Sequence, residues 1–223
     1  MMTHILYFYI GSCIASFVYY LSYSIINKSF SWKARSFCDH CQHKLYFWQL
    51  FPLFSYLLLK GHCYFCCRKI SVNHFYFELF GGLCSLFFFL LTAFSFFNLI
   101  LLLIFLFMTF MDILDQWVPD FLQLSFLTLG LLYNYSYNII PFQCFLIFCL
   151  ISFLLIRTEQ SWMGGADLKF ICISLLFIPL GSIPYFLFLA ASLGLLYCYL
   201  SKSKIIPFIP FLIFSFITSY VLT

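Results

Sequence analysis

Apolar residues dominate this chain in long runs, and polar residues fall between the runs rather than alternating within them. A membrane-crossing helix needs about 20 largely apolar residues, and eight stretches qualify or nearly do. They cover about 5–26, 75–95, 97–114, 120–136, 139–157, 166–180, 182–200 and 204–222. Pro119, Pro141, Pro179 and Pro184 mark breaks between them. The sixth is short for a full crossing. The first lacks a basic leading segment and is too long for a cleaved leader, so it reads as a retained helix. The predicted fold class is an all-α polytopic membrane protein with about eight transmembrane helices and one small cytoplasmic loop. Its expected divisions are a first helix at 1–26, a polar cysteine-rich loop at 27–74 and a membrane-embedded domain at 75–223.

Composition supports lipid as the solvent. Of the 223 residues 65% are hydrophobic and 8% charged, whereas a soluble domain has about 25% charged. The 34 Phe and 16 Tyr suit lipid and its interface. The net charge of +4 is small, and no basic stripe interleaved with exposed aromatics points to nucleic acid.

Charge placement sets the orientation. Seven of the eleven Lys and Arg lie between the first two runs: Lys28, Lys33, Arg35, Lys44, Lys60, Arg68 and Lys69. With eight alternating crossings, Arg157, Lys169, Lys202 and Lys204 fall on the same side. The positive-inside rule makes that side cytoplasmic, with both termini outward. The expected location is the bacterial cytoplasmic membrane.

The loop 27–74 is too short to hold a large core, so its cysteines are the natural staple. Cys38-x-x-Cys41 and Cys63-x-x-Cys66 are separated by 21 residues. Thiolates at this spacing can converge on one tetrahedral zinc, and disulfides seldom persist in the cytoplasm. A redox dithiol pair and unligated cysteines are the alternatives. His40, His43 and His62 are substitute ligands, and Cys67 rivals Cys66. Cys13, Cys84, Cys144, Cys149, Cys172 and Cys198 lie in apolar runs and read as packing residues.

Only seven acids are present: Asp39, Glu78, Asp112, Asp115, Asp120, Glu159 and Asp167. A carboxylate within a spanning helix costs about 2.5–3.5 kcal/mol. Met111-Asp112-Ile113-Leu114-Asp115 at the end of the third run accepts that cost, as does Gly164-Gly165-Ala166-Asp167 at the start of the sixth. Alternating topology puts both at cytoplasmic depth. Two carboxylates held close share a proton. The ionised one can activate water while the protonated one donates to a carbonyl oxygen. Gly164 and Gly165 would permit close substrate approach. The same acids would also serve a proton-coupled transporter, cap a helix or mark the membrane surface.

The order and context of these residues resemble the prepilin peptidases, or type IV leader peptidases. In the loop the likeness lies in Arg35-Ser36-Phe37-Cys38-x-x-Cys41, Pro52-x-x-Ser55-Tyr56-Leu57 and Gly61-x-Cys63-x-x-Cys66, followed by Glu78. Gly11-Ser12 and Ser16-Phe17 fit in the first helix. Asp112 stands seven residues before Pro119-Asp120, similar to the family's first catalytic aspartate, and Asp167 matches the aspartate of its Gly-x-Gly-Asp motif. The likeness covers roughly residues 8–175. Ala166 replaces the second motif Gly, Trp162 stands where Gly is frequent, and Asp115 is displaced by one residue from the usual second acid. The resemblance implies catalytic Asp112 and Asp167 and zinc ligands Cys38, Cys41, Cys63 and Cys66. It implies cleavage of a basic leader from prepilins or pseudopilins at the cytoplasmic face. Many such enzymes then N-methylate the new terminus with S-adenosylmethionine; no methyl-donor residue is assigned. The rival functions are a proton-coupled transporter and a membrane thiol oxidoreductase.

Overall fold

The computed structural model describes residues 2–28, 36–38, 40–137, 164–202 and 206–222, with Leu146 and Cys149. The fifth predicted span, 139–157, lies outside the described residues apart from those two. So do Lys33, Arg35, Asp39, Cys144, Arg157, Glu159, Trp162 and Lys204.

The described chain is helical: α1 Met2–Ile26, α2 Phe54–Leu58, α3 Val72–Thr92, α4 Phe96–Asp115, α5 Asp120–Tyr137, α6 Gly165–Ser174, α7 Ile183–Ser201 and α8 Ile209–Leu222. Single 3₁₀ turns occur at Phe47–Leu50 and Leu180–Ser182. Among the described residues, four helices are long and apolar enough to cross a membrane: Met2–Ile26, Val72–Thr92, Phe96–Asp115 and Leu180–Ser201. These correspond to the first, second, third and seventh expected spans. The fourth appears as α5, which is polar at both ends. The sixth differs most. It is a ten-residue helix, about 15 Å long, against a hydrocarbon core of about 30 Å. Tight turns, with the Leu176 N–H on the Ile173 carbonyl (3.0 Å) and the Phe177 N–H on that of Ser174 (3.0 Å), end it before Pro179. The eighth begins at Ile209 rather than 204 and has 14 residues.

The chain forms two compact units, Met1–Phe110 and Met111–Thr223. In the first, α1 packs along α3 through small residues. A Cβ added at Gly11 would meet Ser85 and the Gly81 carbonyl, and one at Gly81 would meet Ala15. The backbones therefore approach as closely as small-residue interfaces allow in lipid, where packing drives association rather than expulsion from water. Ser85 Oγ donates to the Tyr7 carbonyl (2.8 Å) across the seam. Tyr19 stacks on Phe77 at 4.5 Å, and Phe77 meets Phe110 edge-on at 4.7 Å.

The second unit centres on Phe126 of α5. It stacks on Phe170 of α6 and on Phe177, each at 5.1 Å, and meets Phe216 of α8 edge-on at 5.8 Å. All four rings are buried. Phe188, Leu195 and Leu200 on α7 are exposed, as suits a face turned to lipid.

Candidate active site and metal centre

In the first unit the two cysteine pairs sit in turns of nearly the same form. Each opens with an isolated antiparallel bridge, Phe37 to Lys44 and His62 to Lys69. The Cys38 N–H donates to the His43 carbonyl (3.0 Å) and the Cys63 N–H to that of Arg68 (2.8 Å). Four residues after the first cysteine, Gln42 and Cys67 both take a φ of 56°. The repeat gives Cys67 the place of Gln42, at the bend and exposed, while Cys66 faces inward. The Sγ atoms of Cys38, Cys41, Cys63 and Cys66 all lie within 4.8 Å of one another. Cys38 and Cys66 are 3.9 Å apart. Bonds of about 2.3 Å to a tetrahedral zinc would set sulfurs about 3.8 Å apart, so the donor set fits that ion. None of the three loop histidines joins it. His43 lies against the Phe65 ring at 3.6 Å, and His62 Nδ1 meets the Lys60 carbonyl at 2.8 Å.

The thiols are electrostatically unequal. Main-chain N–H groups, that of Cys66 foremost, lower Cys63 to about 7. Cys66 receives the Arg68 N–H, yet burial and the neighbouring sulfurs push it up to about 11. The Cys63 thiolate therefore forms readily while Cys66 holds its proton, and a bound cation would have to displace that proton.

Glu78, quoted in the sequence without a role, ties this loop to the helix pair. Its Oε1 accepts from Ser16 Oγ of α1 (2.7 Å), and its Oε2 accepts from the Leu53 N–H (2.8 Å).

In the second unit, Asp112 and Asp167 lie near enough for their charges to interact. Asp112 stands one turn before the end of α4 and is 7% exposed. Asp167 lies in the first turn of α6, half-buried, and feels the Asp112 charge. A Cβ at Gly164 would lie 2.9 Å from Asp167 Oδ2, so glycine leaves room for this carboxylate. Gly165 has open space around it, which suits an approaching peptide. The other acids of the motif point elsewhere. Asp115 is exposed, and Asp120 pairs with Lys169 at 2.5 Å on the surface.

Two contributors escaped sequence reading. Gln123 of α5 is buried and donates from Nε2 to the Ala166 carbonyl (3.2 Å), which fixes the residue before Asp167. Its Oε1 has no partner among the described residues. The other is the start of α8, where the Ile209 N–H donates to Asp112 Oδ2 (3.0 Å). The prolines at 207 and 210 were a visible sign of a helix start, but not of what its free N–H groups face.

Comparison with known proteins follows the same division. Residues 9–103 match the Bacterial Peptidase A24 N-terminal domain, and residues 99–199 match the Type IV leader peptidase family. A prepilin leader peptidase/N-methyltransferase of Neisseria gonorrhoeae is 28% identical over 179 residues, 73% of this chain and 61% of that protein. One from Legionella pneumophila is 28% identical over 200 residues, 81% of this chain and 70% of its own. A type 4 prepilin-like proteins leader peptide-processing enzyme of Escherichia coli O78:H11 (strain H10407 / ETEC) is 28% identical over 199 residues, 79% and 71% of the two chains. This chain thus spans 61% of the gonococcal protein's length. No solved structure matches it. With two adjoining matches running from residue 9 to residue 199, the chain belongs to the type IV leader peptidase family.

Proposed function

We propose that this protein is a membrane-embedded aspartic endopeptidase. It removes the leader of prepilin-like proteins at the cytoplasmic face of the membrane, with Asp112 and Asp167 as the catalytic pair. The observation that carries this reading is a pair of carboxylates at helix ends whose charges interact, one buried and one half-buried, beside a glycine with open space. Names of the related proteins support the substrate class.

The chemistry needs one shared proton. The ionised aspartate takes a proton from water as the water oxygen attacks the scissile carbonyl carbon. The protonated aspartate gives its proton to the carbonyl oxygen, which leaves a gem-diol. The first aspartate then protonates the amide nitrogen while a diol hydroxyl returns its proton to the second. The C–N bond breaks, and the pair regains its starting state. A transporter would hold such acids near the bilayer midplane, whereas these stand at helix ends.

The Cys38, Cys41, Cys63 and Cys66 cluster is proposed to hold a structural zinc that fastens the loop, with the loop on the cytoplasmic side. N-methylation of the new terminus with S-adenosylmethionine is the second activity the relatives' names favour. The deciding experiment incubates the purified chain in detergent with a prepilin-type leader substrate, alongside its Asp112→Asn and Asp167→Asn variants. Cleavage by the parent and none by either variant supports the reading. Cleavage by both variants overturns it. Transfer of label from methyl-labelled S-adenosylmethionine to the cleaved product reports the second activity.

A further inference from the structure

The start of α8 treats the two aspartates unequally. Ile209 is its first residue, so its N–H has no partner within the helix. That N–H instead reaches Asp112 Oδ2 at 3.0 Å. Among the described residues none donates to Asp167. A carboxylate that accepts N–H bonds is favoured in its ionised form.

We propose that Asp112 is the base of the pair and carries its charge, with the main-chain N–H of Ile209 acting as the positioning group that holds it ionised. Asp167 is then the protonated acid. The proposal rests on the peptidase reading above and specifies the roles within it.

One feature opposes it. Asp167 lies in the first turn of α6, where the helix dipole favours an anion. That field is worth about two- to fivefold in an equilibrium. A hydrogen bond to a charged group is worth about ten- to a hundredfold, so the direct donor decides. Among the described residues no basic side chain pairs with Asp112. Asp167 faces it from α6, the exposed Asp115 follows on α4, and α8 bears no acidic or basic side chain.

The test removes the donor alone. Suppression of a stop codon with an α-hydroxy acid replaces the Ile209 amide by an ester, which deletes the N–H and keeps the side chain. The same ester at Val221, exposed in the last turn of α8, is the control that deletes an N–H away from Asp112. The readout is the pH profile of kcat/KM for leader cleavage, whose acidic limb reports the base and whose basic limb reports the acid. Loss of the N–H should raise the acidic limb by about one pH unit, a tenfold loss of rate on the acidic side. The basic limb should stay in place, and the Val221 ester should leave both. Movement of the basic limb alone assigns the charge to Asp167 and overturns the proposal, as does an unmoved profile. A second measurement needs no variant. An epoxide is opened by an ionised carboxylate, so mass spectrometry of the epoxide-treated parent enzyme should find the ester on Asp112. Modification of Asp167, or of neither, overturns the assignment even where the ester variant is inactive. Failure of the peptidase reading is separate, since it appears as cleavage retained in both aspartate-to-asparagine variants.

Discussion

Glu78 offers a sharp test of how the cysteine loop is held. Leu53 has a φ of 62° and a ψ of −50°, a backbone state that is costly for a branched side chain. The Phe54 N–H closes a three-residue turn around it onto the Pro52 carbonyl (2.6 Å). Such turns are strained and persist only where surroundings enforce them. Here the enforcing bond is the Leu53 N–H on Glu78 Oε2, and Ser16 Oγ holds the other oxygen. Glu78→Ala removes both acceptors and leaves a half-buried N–H unpaired. Bonds to a charged group are worth about 1.5–3 kcal/mol each, with the net less at a partly exposed site. A loss of about 2–4 kcal/mol in local docking follows, which multiplies loop opening roughly thirty- to several-hundredfold. Glu78→Gln should cost only about 1 kcal/mol, because its amide oxygen can accept from Leu53 while its NH₂ donates to Ser16. Hydrogen exchange followed by mass spectrometry in detergent micelles, on peptides covering residues 49–58, reads this directly. Protection should collapse in the alanine variant and largely survive in the glutamine variant. Unchanged exchange in Glu78→Ala would show that the loop docks without this residue.

Other outcomes follow from the same geometry. Asp112→Asn and Asp167→Asn should each lower cleavage on the order of thousands-fold with the protein still inserted, and the double variant should be no worse, because the pair acts as a unit. Asp115→Asn and Asp120→Asn should be much milder, the latter because a surface ion pair contributes about 0–1 kcal/mol; an inactive Asp115→Asn beside an active Asp112→Asn would shift the motif by three residues. Elemental analysis should find one zinc per chain, lost on combining Cys38→Ser with Cys63→Ser and kept in Cys67→Ser; metal-free protein prepared without chelator would favour a redox role. Cysteines introduced at Lys44 and Lys60 should resist labelling from outside intact cells, and strong labelling at both would reverse the orientation.

Hydrophobic run length sufficed for α1, α3, α4 and α7, because lipid imposes one requirement on each helix by itself. For the sixth run it foretold a helix too short for a full crossing, but not where that helix stops. There, tight turns after Ser174 and the break at Pro179 stop the helix inside a stretch that is still apolar, Leu175 to Ile178. Cysteine spacing foretold the four-sulfur cluster for a similar reason: each pair is a local turn, so its form is written in neighbouring residues. The choice between Cys66 and Cys67 was not. It depends on which residue takes the positive-φ bend, visible only once the two turns are compared.

The aspartates show a different limit. Their positions were legible because a carboxylate stands out in an apolar run, but their surroundings come from residues far along the chain. Gln123 reaches Ala166 across 43 residues, Lys169 reaches Asp120 across 49, and the Ile209 N–H reaches Asp112 across 97. Two of the three are main-chain partners, which carry no side-chain signature at all. The pattern separates two tasks within the second unit. α5 holds the first turn of α6 from both ends, through the Ala166 carbonyl and the Lys169 ammonium, so among the described residues Asp167 is placed through its neighbours. α8 instead bonds the Asp112 carboxylate directly. A pair that must differ in protonation is well served by such a difference in support, since positioning through the backbone leaves a proton's place open while donation to the oxygen opposes it.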